Sequence, residues 1–588
     1  MRLEGSKLNT TMYEIVLVAL IFGIHIWGFW DYDVLVVLMD EFSYWEHAAT
    51  FAGHDWREVI GRAPWYAYGY SVLLTPLFWI FDKMTTMYRA AIWMNGAMAV
   101  GIYFVVKALL RRLYPESSEK LKIVVATTIC LYSAYVGQSK LAWAELAIIL
   151  TFWLLLLFFM IALEKKSLGW SIAVSVLTGI CYMIHNRMIV IIIALLMMSV
   201  IMKLGRKISW KRMFALIVPV LVLYMVNDGI KSQLQQYLAT ATGLEYGLND
   251  ISSRAWKLKA LFSLEGLRNA VQTALGELLY VNLATFSVGI IGIYCVIKEI
   301  LTKLFQKEKT EEQSNRIYFL MFALLAFLGE WGISTLVNMP MDDTVSEKLV
   351  TYLYYGRYVD GVIGIFIVMG LIYLLEHRTK LVLGEALLGH SFLFGASILV
   401  YQYSKGFDNQ LMNSICIPGM WYIDRIDGLN VIVYTAILAV GMLIALFIYQ
   451  RGKDEGEKEK IYFCRFLTVL FFAIGISYSV IRIGAYREHK ENVFEWTEDY
   501  VGDNEVYCLK YERAKYFVQA ELYDKEIHLI QEDEVAALGE NCFLVTEQEM
   551  DEENLHLCIR NYRYFVYVTD GEVYEELLKY GRVQSQEE

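Results

Sequence analysis

Two neighbouring carboxylates, Asp40 and Glu41, begin the stretch of this sequence that is richest in reactive side chains. They follow the first long apolar run and stand among aromatic residues in the motif DEFSYW. Carboxylates at the edge of a membrane are costly to desolvate, so they more often have a function than not. Such a group can act as a general base or orient a substrate or metal. The alternative is an interfacial loop with solvated acids and rings in the headgroup belt.

Arginines flanked by tyrosines form a second set of candidates. Arg62 lies in the same loop, just before Tyr66 and Tyr68 in the run WYAYGY. Arg357 follows Tyr355 at the end of the run TYLYYGRY. A guanidinium pairs with phosphate oxygens and aromatic rings stack on sugar faces, so these residues suit a phosphate or a sugar. The alternative is an aromatic belt with an arginine that binds lipid headgroups.

The composition requires a membrane scaffold to position these residues. The chain has 588 residues, of which 57% are hydrophobic, and a mean hydropathy of +0.41, which is too apolar for an ordinary soluble protein. Gly69–Phe81 has only about 13 residues and is predicted to be re-entrant or interfacial. Runs near the length of a membrane span predict thirteen transmembrane helices: Tyr13–Trp30, Tyr88–Leu110, Leu121–Val136, Leu141–Leu163, Trp170–Ile184, Met188–Met202, Met213–Val226, Glu277–Ile297, Ile317–Val337, Val359–Leu375, Leu381–Tyr401, Val431–Tyr449 and Tyr462–Ile483.

Clusters of Lys and Arg predict the orientation of these spans. They follow the second, fourth, sixth, eighth, tenth and twelfth spans, so all lie on one side if Gly69–Phe81 does not cross. By the positive-inside rule, the amino terminus is cytoplasmic and the carboxyl-terminal tail is outside. Any single ionisable residue could be a snorkelling arginine or a satisfied buried acid. Their joint placement nevertheless predicts a polar cavity at the outer leaflet, formed by Asp40, Glu41, Glu145, His185, Asn186, Arg187, Asp228, Glu277, Glu330 and Arg357.

The tail differs from the membrane part in its charge. From Arg487 onward, 26 acidic residues stand against 10 Lys and Arg, a net charge of −16 in a chain whose total is −11. Such a tail would repel phosphates, so nucleic acid is not an expected partner. The eight cysteines show no metal-binding spacing. Alternating short runs predict a small α/β domain at 485–588. Its predicted strands are Glu505–Lys510, Glu526–Ile530, Cys542–Thr546 and Tyr562–Thr569, and its predicted helices are Glu512–Leu522 and Glu572–Tyr580. The predicted transmembrane domain is 1–484, with its first outer loop at 31–87.

The membrane part resembles the GT-C superfamily of integral-membrane glycosyltransferases. Its closest likeness is to bacterial members related to protein O-mannosyltransferases and to the aminoarabinose transferase of lipid A. DEFSYW, which begins at Asp40, matches the first-loop acidic motif of that family. GQSKLAWAE, which ends at Glu145, stands where the family has its second acidic residue; many members have Arg-Pro-Asp there. The resemblance covers roughly Tyr13 to Ile483 and rests mainly on the order of the motifs and the topology.

The resemblance implies a transferase that takes a sugar from a polyprenyl-phosphate donor. The sugar would pass, with inversion, to an envelope glycan, lipid or protein at the outer face of the cell membrane. We expect Asp40 to be the base, with Glu41 and Glu145 orienting the acceptor or a divalent metal. Arg62, Arg187 and Arg357 would hold the phosphate, with His185 and the tyrosines lining the substrate site. No cofactor is required by any motif.

Two other classes remain open from the sequence. A secondary transporter or flippase would place its site near the bilayer midplane, often between repeated halves. No internal repeat is evident here, and the ionisable residues fall at the outer ends of spans. A non-enzymatic membrane scaffold would suit the acidic tail, but it leaves the acidic first loop unexplained. Turnover of a labelled lipid-linked sugar distinguishes the enzyme from both.

The orientation can be tested with topology reporters. We expect Arg487 to lie outside the cytoplasm, because the basic clusters all fall on the opposite side of the membrane. A reporter that works only outside the cytoplasm should be active when it is fused after Arg487, and a reporter that works only in the cytoplasm should not. A matched fusion after Lys453, within a basic cluster, should show the reverse. A cytoplasmic signal from the Arg487 fusion would remove the basis for an outer-leaflet cavity.

Overall fold

The computed structural model describes residues 2–31, 35, 38–239, 256–304, 306, 308–339, 356–376, 395, 398, 465, 468–477, 479–480, 501–560 and 564–579. Apolar helices form the first part of this chain and a five-stranded sheet forms the last. The helices of the first part are α1 Arg2–Ile26, α2 Leu38–Ala52, α3 Gly69–Ile80, α4 Met84–Leu113, α5 Glu119–Cys130, α6 Ser133–Gln138, α7 Glu145–Lys165, α8 Leu168–Ile184, α9 Ile189–Leu204, α10 Trp210–Ala239, α11 Trp256–Ala260, α12 Leu264–Ala284, α13 Val288–Leu304, α14 Glu311–Asn338 and α15 Arg357–Glu376.

Seven helices in the described part of the chain are long and apolar enough to cross a bilayer. They are α1, α4, α7, α9, α10, α14 and α15, and the bent pair α12–α13 adds an eighth if it counts as one span. The chain is therefore a multi-pass membrane protein. The predicted total of thirteen stays a prediction, because Leu381–Tyr401 and Val431–Tyr449 lie almost wholly outside the described residues.

A sharp bend interrupts the span that was predicted at Glu277–Ile297. Helices α12 and α13 meet there at 113°. Phe286 and Ser287 adopt the left-handed conformation, with φ of 50° and 67°, which ends the first helix. The Thr285 Oγ1 then accepts the Gly289 N–H at 3.0 Å and helps to start the second. The apolar run continues through the bend, so hydropathy alone could not reveal it.

Helices α13 and α15 pack through two glycines. A Cβ atom on Gly292 would lie 1.7 Å from the Phe366 carbonyl oxygen, and one on Gly370 would lie 2.1 Å from the Val288 carbonyl oxygen. Small residues allow membrane helices to approach this closely. The contact fixes α15, whose first residue is Arg357.

We expect Gly370→Ala to destabilise the protein, because its new Cβ would meet a backbone oxygen that cannot move aside. Overpacking of this kind typically costs about 1–3 kcal/mol. Gly332→Ala is the matched control, since a Cβ there meets nothing within 4 Å and alanine favours a helix. Thermal unfolding in detergent should show a lower midpoint for Gly370→Ala only. Equal midpoints for the two variants would contradict the close crossing.

The segment after α2 folds back onto that helix. The Ser43 Oγ accepts the Arg62 N–H at 2.8 Å, and the Glu46 Oε2 accepts the Gly61 N–H at 2.9 Å. A side chain at position 61 would not fit, because its Cβ would lie 2.9 Å from the Phe42 ring. Burial raises the pKa of Glu46 to about 8, so its carboxyl is largely protonated at neutral pH. The loop that carries Arg62 is thus fixed by α2.

The tail forms the predicted α/β domain around a mixed sheet. Strands β1 Glu505–Leu509, β2 Ile527–Ile530, β3 Cys542–Thr546, β4 His556–Arg560 and β5 Phe565–Val568 take the order β2-β1-β3-β5-β4. The first three pair in parallel and the last two add antiparallel. Helices α16 Ala514–Glu521 and α17 Gly571–Lys579 complete it. The sequence did not predict β4, and the predicted boundary at 484/485 lies outside the described residues.

The sheet domain packs directly on α2 and on the segment that follows it. The Trp56 indole N–H donates to the Tyr523 carbonyl oxygen at 2.7 Å. The ring of Tyr516, on α16, lies 5.0 Å from the ring of Phe42, on α2. The Tyr516 hydroxyl also donates to the Ile60 carbonyl oxygen at 3.4 Å. The tail therefore covers the loop and buries one side of α2.

Candidate functional site

Asp40 lies in the first turn of α2, where a carboxylate is favoured by the helix dipole. One of its oxygens accepts from the Tyr66 hydroxyl at 2.7 Å and lies 3.7 Å from an Arg62 nitrogen. The other accepts from the Arg357 Nη1 at 2.5 Å. Burial alone would raise the pKa of Asp40, but the ion pair with Arg357, the hydrogen bond from Tyr66 and the charge of Arg62 together outweigh it and hold that pKa below its usual value. Asp40 is therefore ionised in this arrangement.

The loop that leads to Glu145 is held by buried donors. Helices α5 and α6 precede it and replace the single span predicted at Leu121–Val136. The Asn95 amide, on α4, donates to the Leu141 carbonyl oxygen at 2.8 Å. The Lys140 ammonium donates to the Ile24 and Trp27 carbonyl oxygens and satisfies the end of α1. The loop is thus fixed to α1 and α4 before α7 begins.

Glu41 helps to fix the same loop. Its Oε1 accepts from the Ala142 N–H at 2.6 Å and from the Tyr88 hydroxyl at 2.6 Å. Its side chain is fully buried. Successive residues of a helix point about 100° apart, so Glu41 faces α4 while Asp40 faces Arg357. The geometry gives Glu41 a structural role and Asp40 the accessible position.

Glu145, the first residue of α7, lies between two arginines. The Arg187 guanidinium donates to both of its oxygens, one contact being 3.0 Å. The Arg357 Nε donates to its Oε1 at 2.5 Å. The Arg357 guanidinium also lies 3.8 Å from the centre of the Trp143 ring, in a cation–π contact. Glu145 and Trp143 together hold Arg357 in place.

The row of charges continues into the bundle. The Arg187 Nε lies 3.6 Å from a Glu330 oxygen on α14, and its guanidinium lies 4.7 Å from the Tyr358 ring centre. Five acidic and basic side chains therefore alternate in a row, in the order Asp40, Arg357, Glu145, Arg187 and Glu330. Side-chain exposure falls along the row from 16% at Asp40 to 0% at Glu330. Among the described residues, the Asp40 end of the row is the more accessible to a ligand.

The predicted site residues divide into two groups. The structure brings Asp40, Glu145, Arg187 and Arg357 into direct contact, with Arg62 and Tyr66 at the edge. His185 uses its Nδ1 to accept the Arg187 N–H at 3.2 Å. The Tyr68 ring packs 6.1 Å from that of Phe51. Glu41 faces away, as described above, and Tyr355 lies outside the described residues.

The fold matches that of known membrane enzymes. No protein-family model matches the sequence, and no curated protein matches it. The crystal structure of apo ArnT from Cupriavidus metallidurans aligns over 96% of this chain and 99% of that chain, with a TM-score of 0.54 and 12% identity. Another structure of that protein, bound to undecaprenyl phosphate, gives the same values. An Archaeoglobus fulgidus oligosaccharyltransferase in the apo form aligns at 11% identity over 91% of this chain and 69% of that chain, with a TM-score of 0.42.

The chain has a GT-C fold. The resemblance predicted from the sequence is therefore confirmed for the architecture. At 12% identity the likeness shows the fold alone, so the role of each residue rests on its own contacts.

Three residues of this site were not predicted as site residues. Trp143 supports Arg357, and Tyr358 supports Arg187. Tyr44 is fully buried one helical turn after Asp40, and its hydroxyl has no hydrogen-bond partner among the described residues. Their positions carried a signal: Trp143 stands two residues before Glu145, Tyr358 is adjacent to Arg357, and an i, i+4 spacing puts Tyr44 on the face of Asp40.

Side chains that could hold a metal come together elsewhere in the chain. In the part that the structure describes, the donor atoms of Glu58, Glu526 and His528 all lie within 4.8 Å of one another. They join the segment after α2 to the sheet domain. At the charged row, Glu145 accepts from two arginines and Glu41 from a hydroxyl and a backbone amide. These contacts do not fit a metal held by Asp40, Glu41 and Glu145.

Loss of Glu145 should destabilise the protein strongly. In Glu145→Ala, Arg187 stays buried and loses the carboxylate to which both of its Nη nitrogens donate. Breaking a buried ion pair on one side typically costs about 3–5 kcal/mol. Glu119→Ala is the control, because its pair with Arg111 is exposed and should be worth about 1 kcal/mol or less. Thermal unfolding in detergent compares them, and Glu145→Ala/Arg187→Met should recover part of the loss. Similar midpoints for both single variants would contradict the buried pair.

Proposed function

We propose that this protein is an inverting glycosyltransferase. It takes a sugar from a polyprenyl-phosphate donor and transfers it to a hydroxyl acceptor at the outer face of the membrane. The carrying observation is the contact between Asp40 and Arg357 at the open end of the charged row. It places a carboxylate that can accept a proton beside a cation that can hold a phosphate.

Asp40 is the base in this proposal. The acceptor hydroxyl gives its proton to an Asp40 oxygen as its own oxygen attacks the anomeric carbon of the sugar. The bond from that carbon to the phosphate oxygen breaks, and its electron pair leaves with the polyprenyl phosphate. One displacement on the face opposite the leaving group inverts the configuration. Tyr66, which donates to Asp40 at 2.7 Å, orients the carboxylate.

Arg357 is the phosphate-binding residue. It presents a planar fork that matches phosphate oxygens, and it lies at the open end of the row. Arg62, whose side chain is 37% exposed, lies beside the same carboxylate and adds a second positive charge. Arg187 is a poorer candidate because it is 2% exposed and already faces Glu145 and Glu330. Its role is to hold Glu145, which in turn holds Arg357.

A lipid bound by a protein of the same fold supports this assignment. ArnT, which shares the fold, has been crystallised with undecaprenyl phosphate. A lipid phosphate needs no nucleotide-binding loop, and the sequence has no such motif. A lipid donor can enter from the bilayer, while the acceptor reaches Asp40 from outside. The acceptor class is an envelope glycan, lipid or protein.

Asp40→Asn should remove the base with little change in shape. The expected loss in transfer rate is about 100-fold or more, the usual scale for acid–base help, and donor binding should survive. The measurement is transfer from a radiolabelled polyprenyl-phosphate sugar in proteoliposomes, on an equal amount of folded protein. Asp55→Asn is the control: it makes the same change at an acid of the same loop that pairs with Arg57.

Near-normal transfer by Asp40→Asn would remove Asp40 from the mechanism. Movement of an intact solute across the membrane, without any transfer, would instead favour a transporter. Wild-type protein that neither binds the donor nor turns it over would contradict the proposed function as a whole.

A further inference from the structure

We propose that Asp40 and the donor phosphate compete for Arg357, so that donor binding releases the base for catalysis. In the structure the carboxylate of Asp40 is held in an ion pair with Arg357. The phosphate takes that position, and Asp40 turns toward the acceptor. This inference rests on the proposed function and adds an order of events to it: donor first, acceptor second.

The geometry of the guanidinium carries the argument. A guanidinium can bind a phosphate through two edges, Nε with Nη2 or Nη1 with Nη2, each offering two parallel N–H groups. At Arg357, Nε donates to Glu145 at 2.5 Å and Nη1 donates to Asp40 at 2.5 Å. One face of the group is covered by Trp143 at 3.8 Å. Each edge therefore contains a nitrogen that already donates to a carboxylate, so a phosphate that binds along either edge meets Glu145 or Asp40 there.

Asp40 is the acid that can leave. Glu145 is 2% exposed and also accepts two hydrogen bonds from Arg187. If Glu145 moved away, the buried Arg187 would lose the carboxylate that balances its charge. Asp40 is 16% exposed and keeps two other partners, the Tyr66 hydroxyl at 2.7 Å and Arg62 at 3.7 Å. If its side chain rotates away from Arg357, the Asp40 carboxylate therefore still lies beside a cation, Arg62, and is not left without a partner.

The charges around Arg357 favour the same exchange. Arg357 already contacts two carboxylates, Asp40 and Glu145. A phosphate that bound with Asp40 still in place would be a third anion at this one guanidinium. Anions bound to the same guanidinium repel each other strongly in a partly buried site. Once Asp40 leaves Arg357, it loses its main stabilising cation and becomes a stronger base. The base is thus strong only when a donor is present.

The competition predicts that a variant without the Asp40 charge binds lipid phosphate more tightly. The probe is undecaprenyl phosphate in detergent, and undecaprenol measures the contribution of the lipid tail. Asp40→Asn should lower the dissociation constant for undecaprenyl phosphate about tenfold, the scale of one hydrogen bond to a charged group. Undecaprenol binding should not change. The control Asp55→Asn should bind both lipids as wild type does.

A double-mutant cycle separates competition at Arg357 from general repulsion between two anions. If the effect runs through Arg357, Asp40→Asn should give no gain in undecaprenyl phosphate affinity when Arg357→Gln is also present. If it is general repulsion, the gain should persist at about tenfold, and competition for the guanidinium is wrong. Unfolding midpoints of each variant, measured in the same detergent, verify that folded proteins are compared.

The outcomes for this inference and for the proposed function differ. Equal or weaker binding of undecaprenyl phosphate by Asp40→Asn, with its transfer still lost, overturns the competition and leaves the glycosyltransferase intact. Wild-type protein that binds undecaprenol as tightly as undecaprenyl phosphate removes the phosphate site, and the proposed function with it. Tighter binding by Asp40→Asn that disappears in the Arg357→Gln background supports both.

Discussion

The two-sided contact of Arg357 with Asp40 and Glu145 is the interaction on which the site depends. It joins the start of α15 to the starts of α2 and α7, which are far apart in the sequence. Burying a charge is tolerated only where an opposite charge meets it. Since Arg187 and Glu330 extend the same row, each helix end is positioned by the next. The bundle therefore fixes the site, and the site in turn fixes how these helices meet.

The residue types of the site could be predicted, but their pairing could not. Acids and arginines at the outer ends of apolar runs indicated a polar cavity, and the structure brings Asp40, Glu145, Arg187 and Arg357 into contact. From the sequence, Asp40 was expected to be the base and Glu41 to orient the acceptor or a metal, so both were placed at the site. Which of them faces the cavity depends on where α2 begins, and the partner of Asp40 lies 317 residues away. A long-range contact of this kind leaves no local pattern.

The fold shows the same division between local and non-local information. Continuous apolar runs predicted most of the described spans, because membrane insertion acts on local hydropathy. The bend between α12 and α13 depends on the left-handed conformation of two residues, Phe286 and Ser287. Because both lie inside an apolar run, hydropathy could not predict the bend. Strand β4 was missed for a related reason. It is an edge strand with an irregular register between Leu557 and Ile559, which interrupts the alternation that marks a strand.

Helix α2 has no solvent face along residues 41–49, and this limits how Asp40 can move. Phe42 meets the sheet domain, Ser43 and Glu46 hold the loop around Gly61, and Trp45 packs against Tyr88. A helix enclosed on all sides cannot shift without breaking these contacts together. Any exchange of partners by Asp40 must therefore be a rotation of its own side chain on a fixed backbone. In the proposed mechanism, such a rotation keeps the carboxylate close to the reacting groups throughout, which is what positioning a general base requires.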